Sequence, residues 1–259
     1  MNLAMKLPTR ADLSRYLRLR QASPRLPPAT LATADVTDLI ARVGANVEAA
    51  REAMWSSIVQ QMQARRVLEL GVLRGAFAEQ ILLRCPDIER YYMLDPWRHL
   101  DDWNKPSNFA QPAFDEYFAL AMQRTEFAAA RRVVLRGKTT EVIDQIADHE
   151  LDIAYVDGDH TLHGTTIDLI RTYPKVRPGG VLGGDDYTPT IWQHSEDYEP
   201  SLVCPFAAYF AESQQAPLVI LPHGQFAIVK PAEPGNHFQV IDTTGAYGPR
   251  SLLWQVSKR

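Results

Sequence analysis

The apolar residues of this chain gather into short runs, Arg66 to Leu70, Tyr91 to Leu94, Arg132 to Leu135, Ile153 to Val156 and Val181 to Leu182, separated by stretches of helical periodicity. Runs of that length suit strands rather than helices, and strands joined through helical crossovers lie parallel. The alternation therefore predicts βαβ units, with five parallel strands and helices on both faces of the sheet. Pro217 to Leu221 and Gln225 to Val229 flank Pro222, His223 and Gly224, which predicts a closing antiparallel hairpin. The expected fold class is α/β with a seven-stranded, mostly parallel sheet. Ahead of the first strand, Leu39, Ile40, Val43, Val47, Ala50, Met54 and Ile58 recur every three or four residues and predict one helix from about Thr37 to Gln63.

Two segments exceed the minimal alternation, His99 to Ala130 and Thr188 to Ala216. Both follow the carboxyl ends of strands, where open α/β sheets place their ligands, so they are the candidate walls of an acceptor pocket. They carry Trp103, Phe109, Phe114, Tyr117, Phe118, Trp192, Tyr198, Phe206, Tyr209 and Phe210. Packing accounts for most such aromatics, and a few could stack on a sugar or phenol ring.

With 46% hydrophobic residues and a formal charge of −4, the composition is that of a globular protein, and the clustered positive surface of a nucleic-acid binder is not expected. No apolar run approaches the roughly 18 residues of a membrane span, and residues 1 to 28, although basic, lack the apolar core of a secretory signal. A cytoplasmic location and a small-molecule or oligosaccharide partner are expected. Cys85 and Cys204 are too few for a disulfide framework and have no zinc-like spacing, so they read as buried thiols.

The first strand ends as Glu69-Leu70-Gly71-Val72-Leu73-Arg74-Gly75, an acid followed by a Gly-x-x-x-Gly turn that opens a helix from Ala76 to Leu83. Glycines let the backbone approach a ligand, and the next helix starts with its N–H groups facing it. The third glycine of the dinucleotide fingerprint is missing, which opposes an NAD-dependent oxidoreductase. Asp95 closes the second strand, where an acid can accept hydrogen bonds from ribose hydroxyls; the alternative is a helix cap after Pro96. Thr139, beyond the third strand, is placed either for an adenine contact or for a cap.

The glycine turn, the acid after strand two, the strand order and the phrase Arg177-Pro178-Gly179-Gly180-Val181 resemble class I S-adenosylmethionine (SAM)-dependent methyltransferases over residues 60 to 230. The resemblance implies a Rossmann-like sheet of order 3-2-1-4-5-7-6, and implies that Glu69, Gly71, Gly75, Asp95 and Trp97 border SAM. It divides the chain into an arm and helix (1–60), a SAM-binding domain (61–231) carrying insertions 99–130 and 188–216, and a tail (232–259). The tail, with Trp254, either closes a pocket or packs on a second subunit of a homo-oligomer.

Strand four emerges into Asp157-Gly158-Asp159-His160 and strand five into Asp185-Asp186-Tyr187. The separation is about one βαβ repeat, so neighbouring strands would bring their tips to on the order of 5 Å apart. Asp157, Asp185 and Asp186 then converge, and three close carboxylates resist ionisation unless a cation is shared. Oxygen ligands favour Mg²⁺, with Mn²⁺ or Ca²⁺ as alternatives; capping by Asp185 with Asp186 facing solvent is the bland reading. The spacing resembles metal-dependent O-methyltransferases. The catechol type has a lysine where this chain has His160, and Asp157-Gly158-Asp159-His160 with Asp185-Asp186 looks more like the sugar O-methyltransferases of macrolide biosynthesis. That resemblance implies His160 as the base, with Asp157 as second candidate and His163 as a competitor, and a sugar hydroxyl as acceptor. A catechol or phenol O-methyltransferase and a non-catalytic SAM-binding protein are the alternatives.

Overall fold

The computed structural model describes residues 31–46 and 50–247. Its sheet runs β3-β2-β1-β4-β5-β7-β6-β8. The strands are β1 (Arg66–Leu70), β2 (Arg90–Asp95), β3 (Arg132–Arg136), β4 (Leu151–Val156), β5 (Val176–Gly184), β6 (Leu218–Leu221), β7 (Gln225–Val229) and β8 (Val240–Asp242). Strands β1 to β5 pair in parallel, and β7 joins β5 and β6 in antiparallel fashion, as the apolar runs and the hairpin predict. This is a Rossmann-like sheet, in the strand order that the resemblance implies with one strand added at the β6 edge.

The strand count is eight instead of seven, because Val240–Asp242 adds in parallel to β6. Three residues, none buried, carry too little apolar pattern to announce a strand, yet they cover the backbone edge that β6 would otherwise present. Strand β5 is also longer than its Val181–Leu182 signal. Pro178, Gly179 and Gly180 interrupt the apolar pattern, and the pairing with β4 shifts register between Leu151 and Ile153, where such residues are tolerated.

The expected single helix is two, α1 (Thr33–Ala45) and α2 (Arg51–Gln61). Gly44 and Asn46 are weak helix formers, Asn46 leaves helical geometry (φ −92°, ψ 86°), and Ala50 enters α2 in an extended conformation. Gly44 also packs tightly, since a Cβ there would stand 2.5 Å from Leu221. Val47 lies outside the described residues, as does Trp254.

The remaining helices are α3 (Ala76–Arg84), α4 (Gln111–Arg124), α5 (Thr139–Val142), α6 (Leu162–Thr172) and α7 (Val203–Ser213). One core lies between the sheet and α1, α2 and α3, around Ile40, Trp55, Ile58, Ile81, Tyr91 and Tyr155. The opposite core lies under α6 and α7, around Leu68, Leu94, Leu169, Ala207, Phe210 and Ile220. Both cysteines are buried and unpaired. Among the described residues no helix is long and apolar enough to cross a membrane.

Candidate active site

At the carboxyl edge of the sheet, the turn after β1 is built by backbone. Gly71 (φ +87°) takes a conformation open to glycine, and a Cβ there would fall 1.8 Å from the Asp157 carbonyl oxygen. The β1 and β4 tips therefore touch through the space a side chain would fill. Gly75 (φ +71°) precedes α3, and its missing Cβ admits Ala121 of α4, whose Cα would lie 2.9 Å away.

Asp95 organises this turn from beneath. Its Oδ2 accepts the Val72 and Leu73 N–H groups, both at 2.9 Å, and its Oδ1 accepts the Trp97 N–H at 2.7 Å. Burial raises the pKa of this carboxyl, and the three backbone donors oppose that rise. Trp97 is fully buried, and its indole donates to the Leu73 carbonyl at 2.7 Å, so it props the turn from inside. Glu69 is buried and accepts from the Tyr91 hydroxyl at 2.7 Å; burial pushes its carboxyl up to about 8 despite that hydrogen bond.

Thr139 opens α5 and donates to Asp168 of α6 at 2.5 Å. Asp168, which nothing in the local pattern marks, is buried, and burial pushes its carboxyl up to about 7. It also faces the Asp159 N–H at 3.5 Å, and so ties the β3 and β4 tips together.

The acids after β4 and β5 do meet, but they divide. Asp157 Oδ1 lies 3.4 Å from His160 Nε2, and Asp186 Oδ2 pairs closely with His160 Nδ1. Ligand atoms of Asp157, His160 and Asp186 all lie within 4.8 Å of one another. Asp185 turns elsewhere, pairing closely with Arg51 and with the Gln225 amide, and accepting the Asp186 N–H at 2.8 Å. Asp186 holds a left-handed backbone (φ +61°), uncommon among non-glycine residues though aspartate is one of the types that adopts it most readily, and its carboxylate meets His160.

Arg51, from α2, also donates to Asp157 Oδ2 at 3.1 Å. The repulsion among the three carboxylates is thus answered by the protein's own cations. Burial alone would lower the His160 pKa, but the Asp157 and Asp186 carboxylates beside its two ring nitrogens outweigh burial and push it up to about 10. The same imidazole, with the Gln193 amide, holds the Asp186 carboxyl below its ordinary range against the opposing effect of burial. His160 Nε2 is nonetheless buried without a partner in hydrogen-bond geometry among the described residues. His163 is exposed and lines a groove of about 570 Å³ between the start of α6 and residues 199–202.

Arg51 and Gln225 were not legible as site residues. Gln225 of β7 is buried, accepts from Trp55 Nε1 at 3.0 Å and from the Tyr155 hydroxyl at 2.9 Å, and passes its amide to Asp185. A glutamine opening a hairpin strand gives only the strand signal.

Residues 68–187 match the family model described as "Methyltransferase domain". An uncharacterized protein, y4gI, of Sinorhizobium fredii is 25% identical over 129 residues, half of this chain; the matched part is 14% of that protein's length. Among solved structures, a candidate caffeoyl-CoA O-methyltransferase from Staphylococcus aureus superposes with a TM-score of 0.52 at 11% identity, covering 84% of this chain and 97% of the other. An O-methyltransferase from Bacillus cereus, solved with S-adenosylhomocysteine (SAH), gives 0.48 at 15% identity over 84% of this chain and 97% of the other. The sheet order, the glycine turn and the sequence match agree: the sheet is Rossmann-like, and residues 68–187 within it match a methyltransferase domain.

Proposed function

We propose that the chain is a SAM-dependent O-methyltransferase that works with a divalent cation and transfers the methyl group to a sugar hydroxyl of a glycoside or oligosaccharide. The observation that carries this reading is the contact of two sites at one sheet edge. The Gly71 turn, suited to the methyl donor, abuts the Asp157 backbone, and the Asp157 side chain joins His160 and Asp186 in a ligand-like cluster. In this reading Glu69, Gly71, Gly75 and Thr139 border the donor, while Asp95 and Trp97 hold the turn that receives it.

The residues present fit a cation. Asp157 and Asp186 offer carboxylate oxygens that lie close to one another, a hard donor pair that admits Mg²⁺ or Mn²⁺, and the His160 Nε2 beside them, without a hydrogen-bonding partner among the described residues, is left for a proton. Asp157 and Asp186 would hold the ion, and Asp185, engaged by Arg51 and Gln225, would support them from behind. Such an ion supplies Lewis acidity that lowers the pKa of a bound hydroxyl.

Methyl transfer forms a carbon–oxygen bond as the carbon–sulfur bond of the sulfonium breaks, leaves SAH, and requires the hydroxyl proton to go to a base. The protein's task is to hold oxygen, carbon and sulfur in line. His160 is the assigned base, with Asp157 second. A proton held between two carboxylates is a poor start for a base, so His160 accepts the acceptor's proton only when positive charge at Asp157 and Asp186 replaces it.

The test is methyl transfer from labelled SAM to a panel of methyl glycosides and catechols, with EDTA and with added Mg²⁺. Loss of transfer in chelator, restored by Mg²⁺, with glycosides preferred, is the expected result. Full rate in excess chelator removes the ion from the account, preference for catechols removes the sugar, and failure to bind SAH in calorimetry removes the activity. His160→Ala should abolish turnover while SAH binding persists.

A further inference from the structure

Lys105 lies in the first insertion and is buried, with 5% of its surface exposed. A buried ammonium normally has an acid beside it. Among the described residues no carboxylate lies within ion-pair distance of this one. Its Nζ donates instead to the carbonyls of Glu199 (2.7 Å) and Pro200 (3.1 Å) and to the Ser201 hydroxyl (3.3 Å), all in the second insertion. Asn104 adds a bond from its Nδ2 to the Asp197 carbonyl at 2.8 Å and accepts the Glu199 N–H at 3.3 Å. The very next residue after the pinned segment, Leu202, donates its N–H to the His160 carbonyl at 2.8 Å, and the Ser201 N–H goes to the Ile191 carbonyl at 2.8 Å. The contacts run unbroken from one insertion, through the other, to the His160 backbone.

The joined insertions also bury polar atoms that have no partner among the described residues. Trp103 Nε1, two residues before Lys105, is a donor without an acceptor, and Gln193 Oε1 is an acceptor without a donor. The rest of the Gln193 side chain is fixed, its Nε2 donating at 3.0 Å to the hydroxyl of Thr188, two residues beyond Asp186. Its free oxygen therefore sits beside the cluster that holds His160. An unsatisfied buried polar atom is costly, and one donor and one acceptor are what a ligand with several hydroxyls satisfies.

We propose that Lys105 latches the two insertions into one acceptor wall, from which Gln193 Oε1 and Trp103 Nε1 read the hydroxyls of the acceptor, so that Lys105 positions the wall and Gln193 sets acceptor specificity. This rests on the methyltransferase reading for the acceptor's role, and on geometry alone for the latch.

The test uses the intact chain. In Lys105→Met, backbone hydrogen exchange at Ser201 and Leu202 should accelerate at least about ten-fold while β1 and β4 amides keep their rates. In Gln193→Leu, KM for the methyl glycoside used as probe should rise about ten-fold with SAH affinity within about two-fold; kcat is free to fall because the lost amide also borders Asp186, and the rise in KM is the readout of recognition. Unchanged exchange in Lys105→Met overturns the latch. An unchanged KM in Gln193→Leu, or a fall in kcat with KM intact, overturns the recognition role. A wild-type chain that binds no SAH or methylates no glycoside overturns the methyltransferase or sugar reading, and the recognition role with it, while the exchange experiment still decides the latch.

Discussion

The two halves of the carboxyl edge solve the problem of a buried acid in different ways. At the β1–β2 end the charge of Asp95 is met by three backbone N–H groups, and the turn is closed by fully buried Trp97. At the β4–β5 end the acids are met by side chains, Arg51 and Gln225 from distant elements and His160 from the loop after β4, and Asp186 bears a left-handed backbone conformation. Backbone donors fixed by a turn make a rigid frame for binding. Side-chain cations can be displaced or deprotonated, which suits a place where a proton and an acceptor must move.

The contrast can be broken most severely at its seam. Gly71→Ala places a methyl group in the Asp157 carbonyl and requires a left-handed conformation, so it should cost more than about 3 kcal/mol or prevent folding, read by chemical denaturation. Asp95→Ala removes the acceptor of three N–H groups and should cost about 3 kcal/mol and abolish SAH binding in calorimetry. Retained SAH affinity there would place the donor elsewhere.

Arg51→Met acts on the other half and should be milder. The guanidinium is partly exposed, so the loss is expected to be about 1 to 2 kcal/mol, and the released negative charge should tighten Mn²⁺ binding several-fold. Unchanged Mn²⁺ affinity would mean that Arg51 and the ion do not share the acids.

Per pH unit the mildest expected change is a slope of stability with pH. Burial holds the Asp168 carboxyl near 7 against an ordinary 3.8, so the folded state binds its proton more tightly than the unfolded state does. Its contribution to stability is full below pH ~4, falls by at most about 1.4 kcal/mol per pH unit, and is gone above pH ~7. Asp168→Asn should flatten thermal stability across that window. Glu69, pushed up to about 8 by burial, leaves a residual slope; an unchanged profile would show that Asp168 does not titrate there.

The same contrast explains what could be read in advance. Strands β1, β2 and β4 announce themselves because their buried residues are consecutive, and the acids stand where those runs stop. The break between α1 and α2 was hidden because the apolar stripe continues across Gly44 and Asn46. Asp157, His160 and Asp186 were legible as neighbours, since register between β4 and β5 follows from the topology. Which acid faces which partner was not, because Arg51 and Gln225 arrive from α2 and β7 and side-chain pairing over such separations leaves no local pattern.

The most direct measurement is Mn²⁺ binding to the intact chain with SAH, followed by electron paramagnetic resonance. The account predicts one site in the wild type, kept in Asp185→Asn and lost in Asp157→Asn and in Asp186→Asn. A wild type that binds no Mn²⁺, or a site that survives in Asp186→Asn, would contradict it.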